Sequence, residues 1–451
     1  MLYSILRFLF KITGHVFFRN ITIRNKQLIS DKGPLIIVAN HPSAFMDPIV
    51  MATMFNRKLY FLGKGILFKS KFAKWILPKF NTIPIYRQAD DPSEMRKNED
   101  TFRACYKYLE EGCAILIFPE GITKTERKLR EIKTGAARIA LGAEAKNNFT
   151  LNIQIVTVGL NYSNPHKFNR DLFINIAEPI SLVDYKDAYK TGPVKTVQQI
   201  TELIRIQLEK HIIAISDEKI DALSGDIEYL YKNKLSKELG IAAHDQNSSF
   251  LLTKKIISAV AYFMEKEPER AEKMALRIKQ YHRNLNAIGL QDADISQGQN
   301  RRSGLYHIKS LILILAGFPI FLYGGINNYL PFKIPGIIAN RMASRREFIG
   351  AIGMAAGLFT FLIFYSLQIT FFWKFSRDTW LTFLYAFSLP VSGLFAYSYY
   401  YTIEKIKARW SLIYIFSKKS VFISNLISER ENIIKEFDKA RSEFNTFRNS
   451  E

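Results

Sequence analysis

A histidine and an aspartate six positions apart, His41 and Asp47, are the pair in this sequence best suited to acid–base chemistry. The apolar run 34–38 predicts a buried strand that ends just before the histidine. Pro42 keeps His41 extended and predicts a helical turn that contains or just precedes Asp47. A carboxylate there can hold one imidazole tautomer and leave the other ring nitrogen as a general base. A loop histidine beside a carboxylate at a helix N-terminus fits the same pair, and an isolated pair favours that reading.

Two further strand ends carry residues that suit an anionic substrate. The apolar run 81–86 is followed by Arg87, whose guanidinium suits bidentate phosphate binding. The apolar run 115–118 leads to Glu120, which can bind a hydroxyl or order cations, and to Gly121, which lets backbone amides approach a phosphate. The cations that follow are Lys124, Arg127, Lys128, Arg130 and Lys133. Lys133 near the start of a predicted helix is a second candidate anion site, although all these cations also fit a solvated charge run.

Composition points to an anionic partner. The 451 residues include 63 Lys and Arg against 41 Asp and Glu, a net charge of +22, with 35 Phe and 22 Tyr. Such an excess suits nucleic acid or an acidic membrane surface. Three uncharged apolar stretches, 310–332, 348–373 and 379–403, are each long enough to span a bilayer, so we expect a membrane partner and no nucleic acid. The two cysteines, Cys105 and Cys113, indicate neither a disulfide framework nor a metal site and fit a cytoplasm-facing location.

Alternation of short strands and helices between residues 33 and 185 predicts an α/β layer fold. The predicted strands are 35–39, 59–62, 82–85, 114–118, 153–160 and 172–176, and the predicted helices are 69–75, 92–111 and 134–144. We divide the chain into an amphipathic membrane-interface helix (1–30), a catalytic domain (31–190), a helical extension (191–300), a membrane region (301–403) and a cytoplasmic helical tail (404–451). Residues 291–300 read as a polar linker.

Three of these segments have alternative interpretations. The N-terminal helix fits the membrane interface and fits packing on the protein's own core equally well. If all three apolar stretches crossed the membrane, their basic flanks would alternate between its two sides, whereas Lys and Arg are usually concentrated on the cytoplasmic side. We therefore expect a re-entrant or interfacial first stretch and two full spans. The tail has a seven-residue apolar spacing that allows a short coiled coil, but packing on the helical extension explains it better.

In this order, the motifs around His41 and Asp47, at Arg87, at residues 118–121 and in the apolar strand 156–162 resemble the blocks of the glycerolipid acyltransferase superfamily. The resemblance covers residues 30–185 and implies a mixed sheet flanked by helices. It implies that His41 is the general base, that Asp47 orients it, that Arg87 binds the acceptor's phosphate, and that Glu120 with Gly121 completes the acceptor pocket. It implies no cofactor or metal, only an acyl-CoA or acyl carrier protein as co-substrate.

Two departures from the common pattern bear on the substrate. Five residues separate the histidine from the aspartate instead of four, so the extra residue must be absorbed in the turn 42–44. This longer spacing resembles the histidine–aspartate spacing of the family branch that acylates glycerol 3-phosphate and dihydroxyacetone phosphate. The chain has Ile122 and Thr123 where many relatives have Thr-Arg, so Lys124 or Arg127 would substitute for that arginine.

The resemblance therefore implies a membrane-bound O-acyltransferase of phospholipid biosynthesis. Its acceptor would be glycerol 3-phosphate or 1-acylglycerol 3-phosphate, and its catalytic domain would face the cytoplasm. The alternatives are a lysophospholipid acyltransferase or transacylase, and a lipid-binding module on the same scaffold that has lost catalysis.

Overall fold

The computed structural model of the chain describes residues 2–87, 92–242, 244–298, 304–418 and 420–450. The chain forms two compact units. The first comprises residues 1–216 and 335–358, and the second comprises residues 217–334 and 359–451. The candidate active-site residues all belong to the first unit.

The first unit is built on one mixed sheet. Its strands are β1 (Phe18–Arg24), β2 (Leu35–Ala39), β3 (Leu59–Lys64), β4 (Thr82–Ile85), β5 (Ala114–Ile117), β6 (Gln154–Tyr162), β7 (Arg170–Ile176) and β8 (Ile180–Ser181). They are ordered β1-β7-β6-β2-β5-β3-β4, with β8 paired to β6. Strands β6, β2, β5, β3 and β4 run parallel, whereas β7 and β8 are antiparallel to β6.

Helices cover both faces of this sheet. They are α1 (Leu2–Phe17), α2 (Met46–Met54), α3 (Lys71–Ile76), α4 (Asn98–Glu110), α5 (Gly135–Lys146), α6 (Lys186–Thr191) and α7 (Pro193–His211). Strand β2 is buried along its whole length, and its side chains alternate between two apolar cores as the period of a strand requires. Leu35 and Ile37 join the core that includes α2, whereas Ile36 and Val38 join the core that includes α5.

The predicted fold class, a mixed sheet flanked by helices, is confirmed. Predicted strands 35–39 and 82–85 have the observed bounds. The expectation of one helix through residues 1–30 is wrong, because α1 ends at Phe17 and residues 18–24 form the edge strand β1, parallel to β7. The β-branched run Ile21, Thr22 and Ile23 favours a strand at this position.

The second unit contains a bundle of four helices, α8 (Glu218–Glu238), α9 (Gln246–Lys266), α10 (Pro268–Ala287) and α15 (Ser420–Ser450). The tail therefore packs on the helical extension, as predicted. The predicted polar linker is wrong for residues 292–298, which form helix α11 (Asp292–Gly298). Asp292 accepts hydrogen bonds from Tyr281 and Arg430, so buried polar pairing holds this helix to the bundle. Residues 299 and 300 lie outside the described residues.

The three apolar stretches form helices α12 (Gly304–Met342), α13 (Ile349–Ser376) and α14 (Thr379–Lys418). The segments Leu311–Met342, Arg346–Ser376 and Thr379–Glu404 are long and apolar enough to cross a membrane, by length and composition. The first stretch is one continuous helix, and whether it spans or is re-entrant stays a prediction. The chain is thus suited to membrane association.

Candidate active site

The sheet brings the candidate residues to one edge. Strands β2, β4, β5 and β6 are parallel, so their carboxyl ends meet at the same edge of the sheet, where ligands bind in open α/β sheets. His41 follows β2, Arg87 follows β4, Glu120 follows β5, and Tyr162 ends β6. The order of the strands therefore gathers residues that are more than 100 positions apart in the sequence.

His41 and Asp47 form a hydrogen-bonded pair at this edge. The imidazole Nδ1 lies 2.8 Å from Oδ2 of Asp47, whose side chain is 0% exposed, while that of His41 is 16% exposed. An ionised carboxylate can only accept, so Nδ1 carries the proton of this hydrogen bond. The neutral imidazole then presents an unprotonated Nε2, which is the arrangement a general base needs.

Asp47 is held by two further donors. The backbone amide of Ser43 donates to Oδ2 across 2.8 Å, and the hydroxyl of Tyr162 donates to Oδ1 across 2.8 Å. A fully buried carboxylate needs such partners, because water does not solvate it. The three hydrogen bonds fix the orientation of Asp47 and through it that of the His41 ring.

The turn between the two residues absorbs the long spacing. Helix α2 begins at Met46, so the prediction that a helical turn starts at Pro42 is wrong. Ala44 adopts a positive φ of 26°, and this turn aims the Ser43 amide at Asp47, which lies in the first turn of α2. On one continuous helix, residues six positions apart would lie on different faces. His41 precedes the turn and lies outside α2, so its side chain can still reach that of Asp47.

Two further contacts fix the position of His41, one through the preceding residue and one through its ring. The side chain of Asn40 accepts from the Leu160 amide (2.7 Å) and donates to the Leu160 carbonyl (3.1 Å), which fastens the loop to β6. The His41 ring stacks on Phe118, with centroids 4.1 Å apart and planes 16° apart. The imidazole is thus pinned between the ends of β2, β5 and β6.

Glu120 contacts the backbone of the site. Its Oε1 accepts from the His41 amide at 3.0 Å, and its Oε2 accepts from the Arg130 amide at 3.3 Å. Burial raises the pKa of Glu120, and the two amide hydrogen bonds oppose that shift. These contacts position the histidine loop, whereas the acceptor-binding role implied by the resemblance stays a prediction.

Arg87 and Gly121 are brought together, as their shared sheet edge predicts. A guanidinium N–H of Arg87 donates to the Gly121 carbonyl. Gly121 has a φ of +67°, which side chains with a Cβ rarely adopt. Farther along the same loop, the Thr125 hydroxyl donates to the Pro42 carbonyl at 2.7 Å, which ties the loop to the segment that carries His41.

The predicted cations of this loop have different surroundings. Lys124 pairs with Glu126, and Lys133 pairs with Glu131 at 2.6 Å, and all four side chains are at least one-third exposed. The Arg127 carbonyl accepts from the Ile215 amide at 2.5 Å. Exposed pairs of this kind are weak, so the ammonium groups of the two lysines stay exchangeable for an anionic ligand. No group of three or more His, Cys, Asp or Glu in the described ranges could hold a metal ion.

Ser43, Phe118 and Tyr162 contact His41 or Asp47, although the sequence interpretation gave them no role. For Tyr162 a signal exists, since it is the last residue of the fourth motif, 156–162. Its hydrogen bond to Asp47 depends on β6 being parallel to β2 and adjacent to it, and strand order cannot be read from local pattern. The stacking of Phe118 depends in the same way on β5 lying on the other side of β2.

Comparison with known proteins shows that this domain is similar to acyltransferases. Residues 20–161 match the family model described as Acyltransferase. Glycerol-3-phosphate O-acyltransferase 2 of Saccharomyces cerevisiae is 27% identical over 232 residues, which cover 51% of this chain and 30% of that protein. Glycerol-3-phosphate O-acyltransferase 1 of the same yeast is 23% identical over 326 residues and is matched over 53% of this chain and 43% of its own length. The chain thus spans less than half the length of these relatives.

A solved structure, that of the 1-acyl-sn-glycerophosphate acyltransferase from Thermotoga maritima, aligns with a TM-score of 0.33 and 16% identity, over 46% of this chain and 79% of that chain. Assignment to the branch with the longer histidine–aspartate spacing stays a prediction. The matched segment carries the motifs of His41, Arg87 and Glu120 in order, and the α/β domain of this chain belongs to the glycerolipid acyltransferase superfamily.

Proposed function

We propose that this chain is a membrane-bound O-acyltransferase that transfers a fatty acyl group from an acyl thioester to a glycerol-phosphate acceptor. The observation that carries the proposal is the hydrogen bond between Nδ1 of His41 and the buried carboxylate of Asp47, which leaves Nε2 as a base. The relatives named as glycerol-3-phosphate O-acyltransferases support glycerol 3-phosphate as the acceptor. Acyl-CoA and acyl carrier protein are the two candidate donors.

In the proposed reaction, Nε2 of His41 removes the proton of the acceptor's hydroxyl as its oxygen attacks the thioester carbonyl carbon. The new C–O bond gives a tetrahedral intermediate, and its collapse breaks the C–S bond. The departing thiolate takes the proton from Nε2, so the products are the ester and a free thiol. Asp47 stabilises the imidazolium while it carries that proton, and general-base assistance of this kind contributes about 10²–10⁴-fold to a rate.

We propose that Arg87 binds the acceptor's phosphate, with Lys124, Arg127 and Lys133 as further cationic groups. A guanidinium presents several donors in one plane and suits a phosphate, and Arg87 follows the strand next to β3 at the edge that carries His41. Its hydrogen bond to the Gly121 carbonyl fixes the side chain near the loop after β5. Glu120 serves as a positioning residue through its bonds to the His41 and Arg130 amides.

We also propose that the catalytic domain faces the cytoplasm. The two cysteines are free thiols, as a reducing compartment allows, and Cys105 is buried. Glycerol 3-phosphate and acyl thioesters are water-soluble or carrier-bound anionic substrates that would reach the domain from that side. A thiol-labelling test of Cys113 in sealed vesicles of each orientation would check this placement.

The test of the proposed function is an acyl-transfer assay on membranes that contain the full chain. Labelled palmitoyl-CoA is offered with glycerol 3-phosphate or with lysophosphatidate, and His41→Ala is compared with His244→Ala, which removes an exposed histidine of the second unit. We expect transfer to one acceptor, a loss of at least 10²-fold in His41→Ala, and unchanged transfer in His244→Ala.

Transfer that survives in His41→Ala would overturn the general-base assignment. Transfer to lysophosphatidate alone would replace the acceptor, whereas the reaction class would stand. If neither acceptor is acylated from palmitoyl-CoA or from palmitoyl-acyl carrier protein, the chain is a lipid-binding module on an acyltransferase scaffold.

A further inference from the structure

An exposed aromatic patch lies on the first unit beside the active-site edge. It is formed by the single-turn helix 65–68 and by α3, and its most exposed large side chains are Phe72 and Trp75, at 70% and 58%. Ile66 and Leu67 of the preceding turn are also exposed. Large apolar side chains of soluble domains rarely cluster in this way without a partner.

Lysines surround the aromatic patch. Lys69, Lys71, Lys74 and Lys79 are all exposed. Lys79 lies over the Trp75 ring, 3.3 Å from its centroid. From residue 48 to residue 89 the sequence has eight Lys or Arg and no Asp or Glu, and residues 1–30 also have no Asp or Glu. The two segments that form this surface therefore contribute charge of one sign only.

A second apolar surface adjoins the patch. On α1 the side chains of Ile5, Phe8, Ile12 and Val16 are about half exposed or more, and their spacing of three and four residues places them on one face of the helix. The opposite side of α1 packs on α2, where Arg7 donates to the Ala52 carbonyl at 2.8 Å. The helix also contacts the turn Leu77–Phe80 that follows α3.

The aromatic patch directly follows a strand that ends at the sheet edge carrying His41. The turn 65–68 follows β3, whose carboxyl end lies at the same edge as those of β2 and β5. An ideal Cβ on Gly65 would come within 2.6 Å of the Tyr86 ring, so the turn packs against the residue that precedes Arg87. A partner on the patch would therefore be close to the proposed acceptor site.

We infer that Phe72, Trp75 and the surrounding lysines form a docking surface for the headgroup region of an anionic bilayer. Aromatic side chains partition into the interface between headgroups and acyl chains, and lysines near a membrane are attracted by anionic lipids. The apolar face of α1 is the second contact of the same surface. A surface of this chemistry holds the sheet edge against the lipid, where acyl chains enter and leave. The inference concerns membrane contact and stands apart from the acyl-transfer reaction.

The test measures lipid contact in the full chain. Burial raises the pKa of the Cys105 thiol to about 12 and leaves it unreactive, so only Cys113 is replaced by serine. A bimane label is placed at Phe72→Cys or, as the matched control, at Val194→Cys, which is 73% exposed on α7 of the same unit. Each protein is reconstituted in phosphatidylglycerol vesicles with plain or brominated acyl chains.

We expect brominated lipid to quench the label at position 72 at least twofold and to leave position 194 unchanged. The triple variant Lys69→Glu, Lys71→Glu, Lys74→Glu should reduce the quenching at position 72 by half or more, because it replaces attraction to anionic lipid with repulsion. Equal quenching at both positions, or none at position 72, would overturn the inference. If position 72 is unquenched but its fluorescence responds to added acyl carrier protein, an acidic protein occupies the patch and the membrane assignment is wrong. Because quenching does not depend on turnover, these outcomes are independent of the proposed function.

Discussion

The hydroxyl of Tyr162 lies 2.8 Å from Oδ1 of Asp47, while His41 contacts the other oxygen, Oδ2, of the same carboxylate. Burial and the adjacent Asp47 raise the pKa of Tyr162 well above its ordinary value, so the phenol stays protonated and donates. The last residue of β6 thus supports the hydrogen-bonded pair of Asp47 and His41 after β2. The two strands are parallel neighbours, and this relationship joins the fourth motif of the sequence to the first.

Replacing Tyr162 by phenylalanine removes this donor and keeps the ring. A hydrogen bond to a charged group contributes about 1.5–3 kcal/mol, so we expect kcat to fall about tenfold to a hundredfold. The KM for the acceptor should stay within about twofold, since the hydroxyl contacts Asp47. Steady-state kinetics check this, with Tyr60→Phe as the control on β3, whose hydroxyl faces Lys58. A change confined to KM would show that Tyr162 acts on substrate binding.

Replacing Asp47 by asparagine tests the tautomer argument. If the amide presents its NH₂ group to Nδ1, the imidazole must place its proton on Nε2 and can no longer act as a base. We expect kcat to fall by about 10²–10⁴-fold. Circular dichroism should show that the domain is folded, and the exposed Asp187→Asn in α6 should keep full activity. Activity within a factor of three of the parent protein would show that Asp47 does not orient the base.

Local sequence predicted much of this site, because its motifs follow strands whose apolar runs are short and clear. His41, Arg87 and Glu120 each lie just after a predicted strand, and parallel pairing alone brings such ends together. Contacts that depend on which strands are neighbours were not predictable, as the Tyr162–Asp47 bond illustrates.

The structural roles of buried polar groups were also not predictable from the sequence. The Arg57 guanidinium donates to the carbonyls of Ser30, Gly33 and Gly112 at the opposite ends of the strands. Nothing about a single arginine after a helix distinguishes it from a phosphate-binding one. Only the three carbonyls, which come from the loop before β2 and from the distant turn at Gly112, give it a purely structural role.

Glu120→Gln should change how stability depends on pH. Burial raises the folded-state pKa of Glu120 above its ordinary value of 4.5, so the folded state binds the proton more tightly than the unfolded chain does. The stabilisation that comes from this tighter proton binding is fully present below pH 4.5 and is lost as pH rises through the folded-state pKa. Glutamine does not titrate, so the melting temperature of the parent protein relative to Glu120→Gln should fall between pH 4.5 and pH 7.

Thermal unfolding in detergent at several pH values measures this difference. Exposed Glu131→Gln on the same loop is the control and should leave the pH profile of the parent protein unchanged. The amide side chain introduced by Glu120→Gln has one acceptor oxygen in place of two and can accept from only one of the two backbone N–H groups, so a constant loss of stability at every pH is also expected. A relative melting temperature that rises with pH would contradict the raised pKa.

Asn328 should stabilise the association of the apolar helices. Its Oδ1 accepts from the Tyr365 hydroxyl at 2.5 Å, and its Nδ2 donates to the Leu389 carbonyl at 3.2 Å, so it contacts α13 and α14 from α12. Hydrogen bonds between helices in lipid contribute about 0.6 kcal/mol each on average, and Asn328→Leu removes two of them.

The matched control is Ile326→Leu, since Ile326 is 73% exposed on the same helix. We expect Asn328→Leu to unfold at a temperature lower by a few degrees, with the control unchanged, in a thermal-stability assay of the detergent-solubilised chain. Equal melting temperatures for the two variants would show that apolar packing alone holds these helices together.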